Sequence, residues 1–231
     1  MRCDHRIVVI IPALNEEASI GSVLDAIPDW VDARIVVNNA STDNTPQVAL
    51  QHGAYVVDEP HPGYGAACLL GIATANALYA PDIIVFLDAD FSDVPNQMSK
   101  LVDPIIEGQA DITISDRTAL QENKQALTTA QFYGNRLACA LMRLFWGHIY
   151  HDLGPFRAIR KSALDRLCMT DRNFGWTVEM QIRAVKHNLK IVEIPVTYRM
   201  RLAGRSKISG TISGVIKAGS KILYTVFREA L

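Results

Sequence analysis

The stretch DIIVFLDADFSDVP, residues 82–95, decides the fold, because an apolar run ends abruptly in paired carboxylates. No polar residue interrupts Ile83 to Leu87, which is typical of a strand buried on both faces of a parallel sheet. Asp88 and Asp90 follow at positions i and i+2, so both side chains point the same way on extended backbone. Two like charges that converge on one point indicate a cation site.

Similar β-branched runs recur along the first half of the chain, at residues 6–11, 34–38, 54–58 and 111–115. Helical patterns alternate with them, at residues 16–27, 45–52, 65–79 and 95–107. This alternation predicts βαβ units in an α/β fold, with helices on both faces of a mainly parallel sheet. The second half predicts helices at 130–145, 161–168 and 176–188, a strand at 190–196 and an amphipathic C-terminal helix.

The composition describes a globular chain of 231 residues, 49% apolar and 20% charged, which is enough for one sizeable core. With no linker or repeat in view, we expect a single domain over residues 1–231. The net charge of −1 gives no reason to expect nucleic acid as a partner. The four cysteines lack the spacing of a zinc site or a disulfide framework, so we expect free thiols and a cytoplasmic location.

The carboxylate pair predicts the type of metal. Hard carboxylate oxygens favour Mg²⁺ or Mn²⁺, which leave coordination positions to water and to substrate phosphates. A nucleotide diphosphate would complete such a shell. The alternative is that these acids cap the helix that begins near Pro95; Ser92 and Asp93 suit that purpose, which leaves Asp88 and Asp90 for the metal.

An ordered set of motifs adds a family resemblance. The segments IIPALNEE, NNASTDNT and DAD follow the first, second and fourth predicted strands, and together they resemble family 2 glycosyltransferases of the GT-A fold. SDR, GPFRAIRK, GWTVEMQIRA and GRSKISG further downstream look like the dolichyl- and polyprenyl-phosphate sugar transferase branch. The resemblance covers nearly the whole chain. It implies a nucleotide-sugar-binding half, residues 1–117, and an acceptor-binding half, residues 118–231.

For the donor, the resemblance implies a pocket walled by strand-end residues, namely Pro12, Ala13, Leu14, Glu16, Asn39, Asp43, Gly65, Asp88, Ala89, Asp90 and Arg117. Asp43 also reads as an ordinary helix cap. Many relatives carry two aspartates where this chain has Asn38 and Asn39, which leaves the nucleobase open. Tyr64 stands where related transferases often have a lysine, so one phosphate contact is lost.

The resemblance also implies the catalytic scheme. A metal on Asp88 and Asp90, together with Arg117, would stabilise the charge that develops on the departing nucleoside diphosphate. Attack from the opposite side would invert the anomeric carbon. Asp152 is predicted to contact the sugar or the acceptor. A cluster of His148, His151 and Asp152 could be imagined as a metal site, but a helix-end turn explains those residues equally well.

Glu179 and Trp176 lie where family 2 enzymes have acceptor-side residues, and the resemblance implies a catalytic Glu179 and an acceptor contact at Trp176. The alternative for Glu179 is an ordinary solvated glutamate on a helix. A general base is required for a hydroxyl acceptor but not for a phosphate acceptor, which is already ionised near neutral pH.

The basic loop YRMRLAGRSK supplies the acceptor prediction, because Arg201, Arg205 and Lys207 suit an anionic group or an anionic membrane surface. A solvated face, or a lid over the donor diphosphate, is the alternative. The C-terminal helix could lie in a bilayer interface or dock on the core.

The sequence therefore predicts a metal-dependent, inverting transferase that moves a hexose from a nucleotide diphosphate sugar to a polyprenyl phosphate, peripherally at the cytoplasmic membrane face. A soluble or saccharide acceptor is one alternative. A nucleotidyltransferase or a non-catalytic nucleotide-binding module is another. The sugar, the nucleobase, the acceptor's chain length and the oligomeric state stay open.

Overall fold

The computed structural model describes residues 1–204 and 212–231 and arranges them around one seven-stranded sheet. The strands are β1 (Ile7–Ala13), β2 (Ala33–Asn38), β3 (Tyr55–Asp58), β4 (Ile83–Phe86), β5 (Ile112–Asp116), β6 (Arg157–Arg160) and β7 (Ile191–Pro195). The helices are α1 (Ile20–Asp25), α2 (Thr45–Gln51), α3 (Tyr64–Tyr79), α4 (Met98–Ile106), α5 (Thr129–Trp146), α6 (Lys161–Leu167), α7 (Trp176–Lys186) and α8 (Ile212–Ala230).

The strand order is β3-β2-β1-β4-β6-β5-β7. Neighbouring strands are parallel except at β6, which runs antiparallel to both β4 and β5. In register, Ile10 of β1 lies opposite Ile35 of β2 and Phe86 of β4. The predicted α/β fold with a mixed, mainly parallel sheet is therefore confirmed, and β1, β2 and β4 end side by side at one edge.

Each face of the sheet is covered by an apolar layer. Val8 and Ile10 of β1 belong to the layer shared with α3, α5 and α7, whereas Val9 belongs to the layer shared with α1 and α4. Both faces of the central strands are thus buried, which is why their sequences are unbroken apolar runs and do not alternate between apolar and polar residues. The uncharged stretch that contains α3 packs against β1 and β2. In the described part of the chain, no helix is long and apolar enough to cross a bilayer.

The first helix is shorter than predicted, because it begins at Ile20 and not at Glu16. The preceding residues form a turn that binds the next strand-end loop instead of continuing the helix. The backbone N–H of Glu16 donates to Thr45 Oγ1 at 2.8 Å, and that of Glu17 donates to Asp43 Oδ2 at 3.2 Å. Asn15 takes a positive φ of 53°, which ends the extended chain just before this turn.

The prediction that Asp93 caps a helix is wrong. The residue that precedes the short 3₁₀ turn Pro95–Gln97 is Val94, and no side chain caps that turn. Asp93 is 1% exposed, and neither of its carboxylate oxygens has a hydrogen-bond partner among the residues described. Burial and the nearby Asp88 charge raise its pKa well above the usual range. Its backbone instead forms an isolated bridge to Tyr198.

Candidate functional site

Two adjoining cavities lie at the edge of the sheet where β1, β2 and β4 end. The larger, of about 640 Å³, opens over the strand ends, and the smaller, of about 270 Å³, lies between α5 and α8. Their walls share five residues, Tyr64, Asp88, Arg117, Gln131 and Phe174. One carboxylate and one guanidinium therefore border both spaces, which places any shared chemistry at this junction.

The larger cavity collects most of the predicted donor residues. Its wall includes Pro12, Ala13, Leu14, Glu16, Asn39, Asp88, Ala89, Asp90 and Arg117. They come from segments far apart in sequence, and they meet because the carboxyl ends of parallel strands share one edge of the sheet. Their roles in binding stay predictions, but their positions are those of one pocket.

Two predicted donor residues lie outside both cavity walls. Asp43 accepts hydrogen bonds from the backbone N–H and the hydroxyl of Thr45, at 3.0 and 2.5 Å. These bonds outweigh the effect of burial and lower its pKa. The N-cap residue of α2 is Asn44, so Asp43 ties down the first residue of the helix from one position before the cap and not as the cap itself. Gly65 packs at the start of α3, where an added Cβ would collide with the Asp171 carbonyl. The absence of a side chain at Gly65 serves this close approach of backbones and not a contact in the cavity.

The hydrogen bonds of Asn39 explain why this chain has an amide where many relatives have an aspartate. Asn39 is buried, and its Nδ2 donates to the carbonyl oxygens of His61 at 2.9 Å and Glu59 at 3.3 Å. Its Oδ1 accepts from the Gly63 N–H at 2.8 Å. A carboxylate has no donor for those two carbonyls. Asn39 therefore holds the loop between β3 and α3 in place at the wall of the larger cavity.

Asp88 and Asp90 have the surroundings of a cation site. Burial, and then the charge of Asp90, raise the pKa of Asp88 to about 7. The Tyr64 hydroxyl donates to Asp88 Oδ1 at 3.3 Å, and Asp90 Oδ1 accepts the Ser92 N–H at 2.9 Å, which leaves carboxylate oxygens facing the cavity. No group of three or more metal-binding side chains occurs in residues 1–204 and 212–231. Two carboxylates with open positions fit Mg²⁺ or Mn²⁺ shared with phosphates.

Arg117 is held by a buried ion pair with Asp152. Its Nε and Nη2 donate to the two carboxylate oxygens at 2.7 and 2.8 Å, and its backbone N–H adds a third bond at 2.9 Å. Burial opposes both charges, but the pair outweighs it, so the pKa of Asp152 is lowered and that of Arg117 is raised. Asp152 is 0% exposed, lines neither cavity and is engaged by Arg117, so the predicted substrate contact stays a prediction that this geometry does not favour.

The described part of the basic loop, up to residue 204, contacts the donor side of the site. Arg201 Nη2 lies 2.6 Å from Glu16 Oε1 and 4.0 Å from Asp90 Oδ2, in the wall of the larger cavity. The backbone N–H of Leu202 donates to the Asp90 carbonyl at 3.1 Å. These contacts favour the lid interpretation for Arg201 over the acceptor contact. The predicted acceptor residues Arg205 and Lys207 lie outside the described residues.

Glu179 is neither solvated nor in a cavity wall. It is 0% exposed, and it accepts hydrogen bonds from Thr170 Oγ1 at 2.6 Å and the Asp171 N–H at 2.8 Å. It also pairs with Arg183 at 2.9 Å and Arg228 at 2.8 Å. The solvated alternative is therefore wrong. A catalytic role stays a prediction that this geometry does not favour, because the carboxylate is saturated by neighbours that join α7 to α8.

Trp176 lies in the core, so its predicted acceptor contact stays a prediction that this position does not favour. It is 1% exposed and packs edge-on against Phe86, with ring centroids 5.9 Å apart. Its indole lies in the core beneath the sheet and outside both cavity walls. Core packing is enough to explain the aromatic side chain at this first position of α7, without a ligand.

The smaller cavity is mostly apolar. Its wall draws on α5, α8 and the turn before β6, with Leu153, Pro155, Val215, Ala218 and Ile222 among its residues. Asp88 and Arg117 supply the only charged side chains in this wall, within the described chain. A molecule that fills this space would meet mostly apolar side chains, the polar Gln131, Asn135 and Thr177, and ionic groups where the two cavities join.

The imagined histidine cluster does not form. His151 pairs with Glu193 at 2.8 Å, and this hydrogen bond raises its pKa. His148 stacks on Tyr150 with ring centroids 4.5 Å apart, while Asp152 is committed to Arg117. The helix-end interpretation of this segment is the one that fits.

Sequence reasoning missed several wall residues. Tyr64 was interpreted only as a missing lysine, but it contacts Asp88 and borders both cavities. Phe174 and Lys217 also line the larger cavity and carried no motif. The signal for Tyr64 was its place in a glycine-rich turn after a strand. Lys217 had none, because only the packing of α8 brings it to the site.

Comparison with known proteins supplies the family. The model of "Glycosyl transferase family 2" matches residues 8–168. An uncharacterized glycosyltransferase of Mycobacterium tuberculosis is 37% identical over 92% of this chain and 94% of its own length. A dolichyl-phosphate hexose transferase of Haloferax volcanii is 30% identical, over 97% of this chain and 96% of its own length.

A solved structure agrees with the fold. Glucosyl-3-phosphoglycerate synthase from Mycobacterium tuberculosis, in complex with Mn²⁺, UDP-glucose and phosphoglyceric acid, has a TM-score of 0.78 and 25% identity. The match covers 99% of this chain and 81% of that one. The ordered motifs, the strand-end cavity and these matches lead to one conclusion: the chain belongs to glycosyl transferase family 2, is a hexosyltransferase, and has the GT-A fold.

Proposed function

We propose that this enzyme transfers a hexose from a nucleotide diphosphate sugar to a polyprenyl phosphate, with inversion and with Mg²⁺ or Mn²⁺ as cofactor. In this proposal residues 1–117 supply most of the donor site, residues 118–231 supply most of the acceptor site and add Arg201 and Lys217 to the donor wall, and the whole chain acts as one catalytic domain. The observation that carries the acceptor assignment is the apolar cavity that meets the donor cavity at Asp88 and Arg117.

The donor would occupy the larger cavity, with its diphosphate toward Asp88 and Asp90. These carboxylates would hold a divalent cation, and the cation would neutralise charge on the diphosphate. Arg117 presents the N–H donors that Asp152 does not use, and the ion pair keeps its fork fixed while charge builds on the leaving group. The solved relative with Mn²⁺ and UDP-glucose supports this arrangement.

The acceptor follows from the lining of the smaller cavity. A phosphoglycerate, the acceptor in the solved relative, carries several charges on a short carbon skeleton and is poorly matched to a wall of Leu153, Val215 and Ile222. A polyprenyl phosphate has a hydrocarbon chain for this wall and one phosphate for the ionic end beside Arg117. Similarity to a dolichyl-phosphate hexose transferase points the same way.

The proton balance also supports a phosphate acceptor. An ionised phosphate oxygen attacks the anomeric carbon, and the bond from that carbon to the β-phosphate oxygen breaks with its electron pair. No proton has to be removed from the acceptor, so no general base is required. Glu179 is saturated by neighbours, and Asp88 is the sole carboxylate in the described wall of the smaller cavity. Because Asp88 is assigned to the cation in this proposal, a sugar hydroxyl would lack a base.

A lipid acceptor implies work at a membrane. We place the enzyme peripherally at the cytoplasmic face, since a nucleotide sugar is a water-borne donor and a polyprenyl phosphate stays in the bilayer. Nucleic acid has no part in this scheme.

The direct test is an acceptor panel that is run with each of two donors. UDP-glucose and GDP-mannose are each incubated with Mn²⁺ and with a polyprenyl phosphate, 3-phosphoglycerate or a disaccharide, and both sugar transfer and released nucleoside diphosphate are measured. Transfer to the polyprenyl phosphate alone is expected. Transfer to 3-phosphoglycerate or the disaccharide but not to the lipid would overturn the acceptor, and release of pyrophosphate would overturn the reaction class.

A cavity-filling variant tests the site of the acceptor chain. A Cβ added at Gly219 meets nothing within 4 Å, and this glycine lines the smaller cavity. Gly219→Leu should raise the acceptor KM about tenfold or more, because four added carbons displace part of the bound chain. Gly219→Ala is the matched control, with one added carbon, and should stay within a few-fold of the parent. Equal donor binding in both variants confines the effect to the acceptor.

A further inference from the structure

A second apolar feature lies on the outside of the same two helices. On α5, Tyr133, Leu137 and Leu144 are 66%, 51% and 74% exposed. On α8, Ile216, Tyr224 and Phe227 are 62%, 59% and 51% exposed. We name these six residues the α5–α8 face.

Each trio is one stripe along its helix. On α5 the spacings from Tyr133 are four and eleven residues, and on α8 those from Ile216 are eight and eleven, which keeps each set on one side. The stripes join, because the rings of Phe145 and Phe227 are 5.8 Å apart at their centroids. A continuous exposed apolar patch of this kind marks a surface that binds something.

The charges around the face are positive. Helix α5 has two arginines, Arg136 and Arg143, both exposed, and contains no aspartate or glutamate. Lys217 on α8 lines the larger cavity, so the positive charges of the face come from α5. The other charged residues of α8 turn toward the protein, since Lys221 pairs with Asp171 at 2.8 Å and Glu229 pairs with Arg183 at 2.9 Å.

This charge pattern selects the partner. An anionic lipid surface complements the exposed cations and accepts the tyrosines and aliphatic side chains between them. A second copy of the chain packed through the same face would bring Arg136 and Arg143 of both copies together, and like charges disfavour such a self-complementary contact. Neither helix is long and apolar enough to span a bilayer, so the face suits a helix pair that lies on the membrane.

The face is also continuous with the smaller cavity. Val215 and Ala218 of α8 line that cavity, while Ile216 between them belongs to the face. On α5, Gly134 lines the cavity, while Tyr133 beside it is on the face. A hydrocarbon chain could therefore pass from the bilayer into the cavity along the two helices.

We propose that the α5–α8 face docks this enzyme on an anionic lipid bilayer and opens its apolar cavity toward the acyl chains. The delivery of the acceptor rests on the proposed function, but the binding of lipid does not. The α5 side of this surface is essential to the proposal, although its sequence alone predicts only an ordinary helix.

The first test measures binding of the whole protein to phosphatidylcholine vesicles with and without phosphatidylglycerol, by co-sedimentation. Leu137→Glu with Leu144→Glu should weaken binding about tenfold or more, since two apolar side chains are lost and two negative charges are gained. Leu50→Glu with Leu78→Glu is the matched control, because those leucines are 59% and 52% exposed on α2 and α3. The control should bind as the parent does.

A second variant keeps the apolar residues. Arg136→Gln with Arg143→Gln should weaken binding to anionic vesicles by about fivefold for each arginine and should leave binding to neutral vesicles nearly unchanged. Both arginines are exposed, so this variant folds even if the glutamate variant does not. Equal loss in the face variant and the Leu50 and Leu78 control, or no loss in either face variant, would overturn the proposal.

Two further measurements separate the proposals. A short, water-soluble prenyl phosphate should be glycosylated by the parent and by both face variants, whereas a long polyprenyl phosphate in vesicles should be glycosylated by the parent far faster than by the face variants. Vesicle binding without any transfer would sink the proposed function and keep the face. Transfer to the short acceptor without vesicle binding would overturn the proposed membrane face and keep the proposed function. Dimers in sedimentation velocity that the glutamate variant abolishes, with no vesicle binding by the parent, would assign the face to a second copy.

Discussion

The two cavities are built in different ways, although they share one wall. The donor cavity is made largely by loops that follow β1, β2 and β4, and its buried Asn39 is held by Gly63 and His61 of the loop that follows β3. The apolar cavity lies between two helices that residues 147–211 separate in sequence, and its wall depends on how they pack. Local motifs thus suffice to locate a donor site, whereas an acceptor site needs the tertiary arrangement.

The largest effect is expected where the two cavities share a wall, at Arg117 and its partner Asp152. Asp152→Asn leaves the Arg117 guanidinium buried without its anion, and we expect it to cost about 3 to 5 kcal/mol of unfolding free energy. Chemical denaturation measures this loss. Transfer should also slow, because the fork of Arg117 is no longer held.

A double variant separates the two effects. Arg117→Met with Asp152→Leu removes both charges, so it should recover at least half of the lost stability while transfer stays low. If the double variant is as unstable as Asp152→Asn alone, the penalty does not arise from an unpaired charge, and the two cavities are joined by something other than this pair.

The second prediction concerns the donor side alone. Asp90→Asn should lower transfer about a hundredfold or more, since a divalent cation supplies several kcal/mol of charge stabilisation in such reactions. The amide retains an oxygen for the Ser92 N–H, so the turn and the melting temperature should change little. Mn²⁺-dependent binding of UDP, measured by calorimetry, should be lost with it. Asp29→Asn, at an exposed aspartate, is the control, and normal Mn²⁺ dependence in Asp90→Asn would refute the assignment.

The third prediction concerns Tyr64, which lies where the two cavities join. Tyr64→Phe keeps the ring that borders both cavities and removes the hydroxyl that donates to Asp88. One hydrogen bond contributes about 1 kcal/mol, so Mn²⁺ binding should weaken about fivefold. Tyr79→Phe at the other end of α3 is the matched control. A change in melting temperature without a change in Mn²⁺ affinity would mean that the hydroxyl only packs the helix.

The smallest effect, on the unfolding free energy, is expected at the exposed His151. The hydrogen bond to Glu193 raises the pKa of His151 above its unfolded value, so the pair stabilises the fold below about pH 6.5 and the effect fades as pH rises through the folded pKa. His151 is 63% exposed, so solvent screening keeps the contribution under about 0.5 kcal/mol. The unfolding free energies of the parent and His151→Gln should differ at pH 5.5 and converge at pH 8.5. A difference that grows with pH would contradict the pairing.

The sequence predicted elements better than it predicted side-chain roles. Strand positions followed from apolar runs, because burial on both faces imposes such runs whatever the helices do. The start of α1 was missed by four residues, since Thr45 and Asp43 from the next loop bind the backbone N–H groups of Glu16 and Glu17. A contact across 29 residues leaves no local pattern.

By itself, the sequence determined the α/β class and the strand-end position of Asp88 and Asp90, because the carboxyl ends of parallel strands must meet at one edge. The family resemblance carried by its motifs also implied nine residues that line the larger cavity. Only the tertiary structure decided that Asp152 orients Arg117, that Trp176 is core, and that Glu179 is saturated by α7 and α8. These roles depend on which partner a side chain finds across the fold. Spacing along the chain sets the direction of a side chain, but burial and charge compensation are settled by neighbours that are distant in sequence.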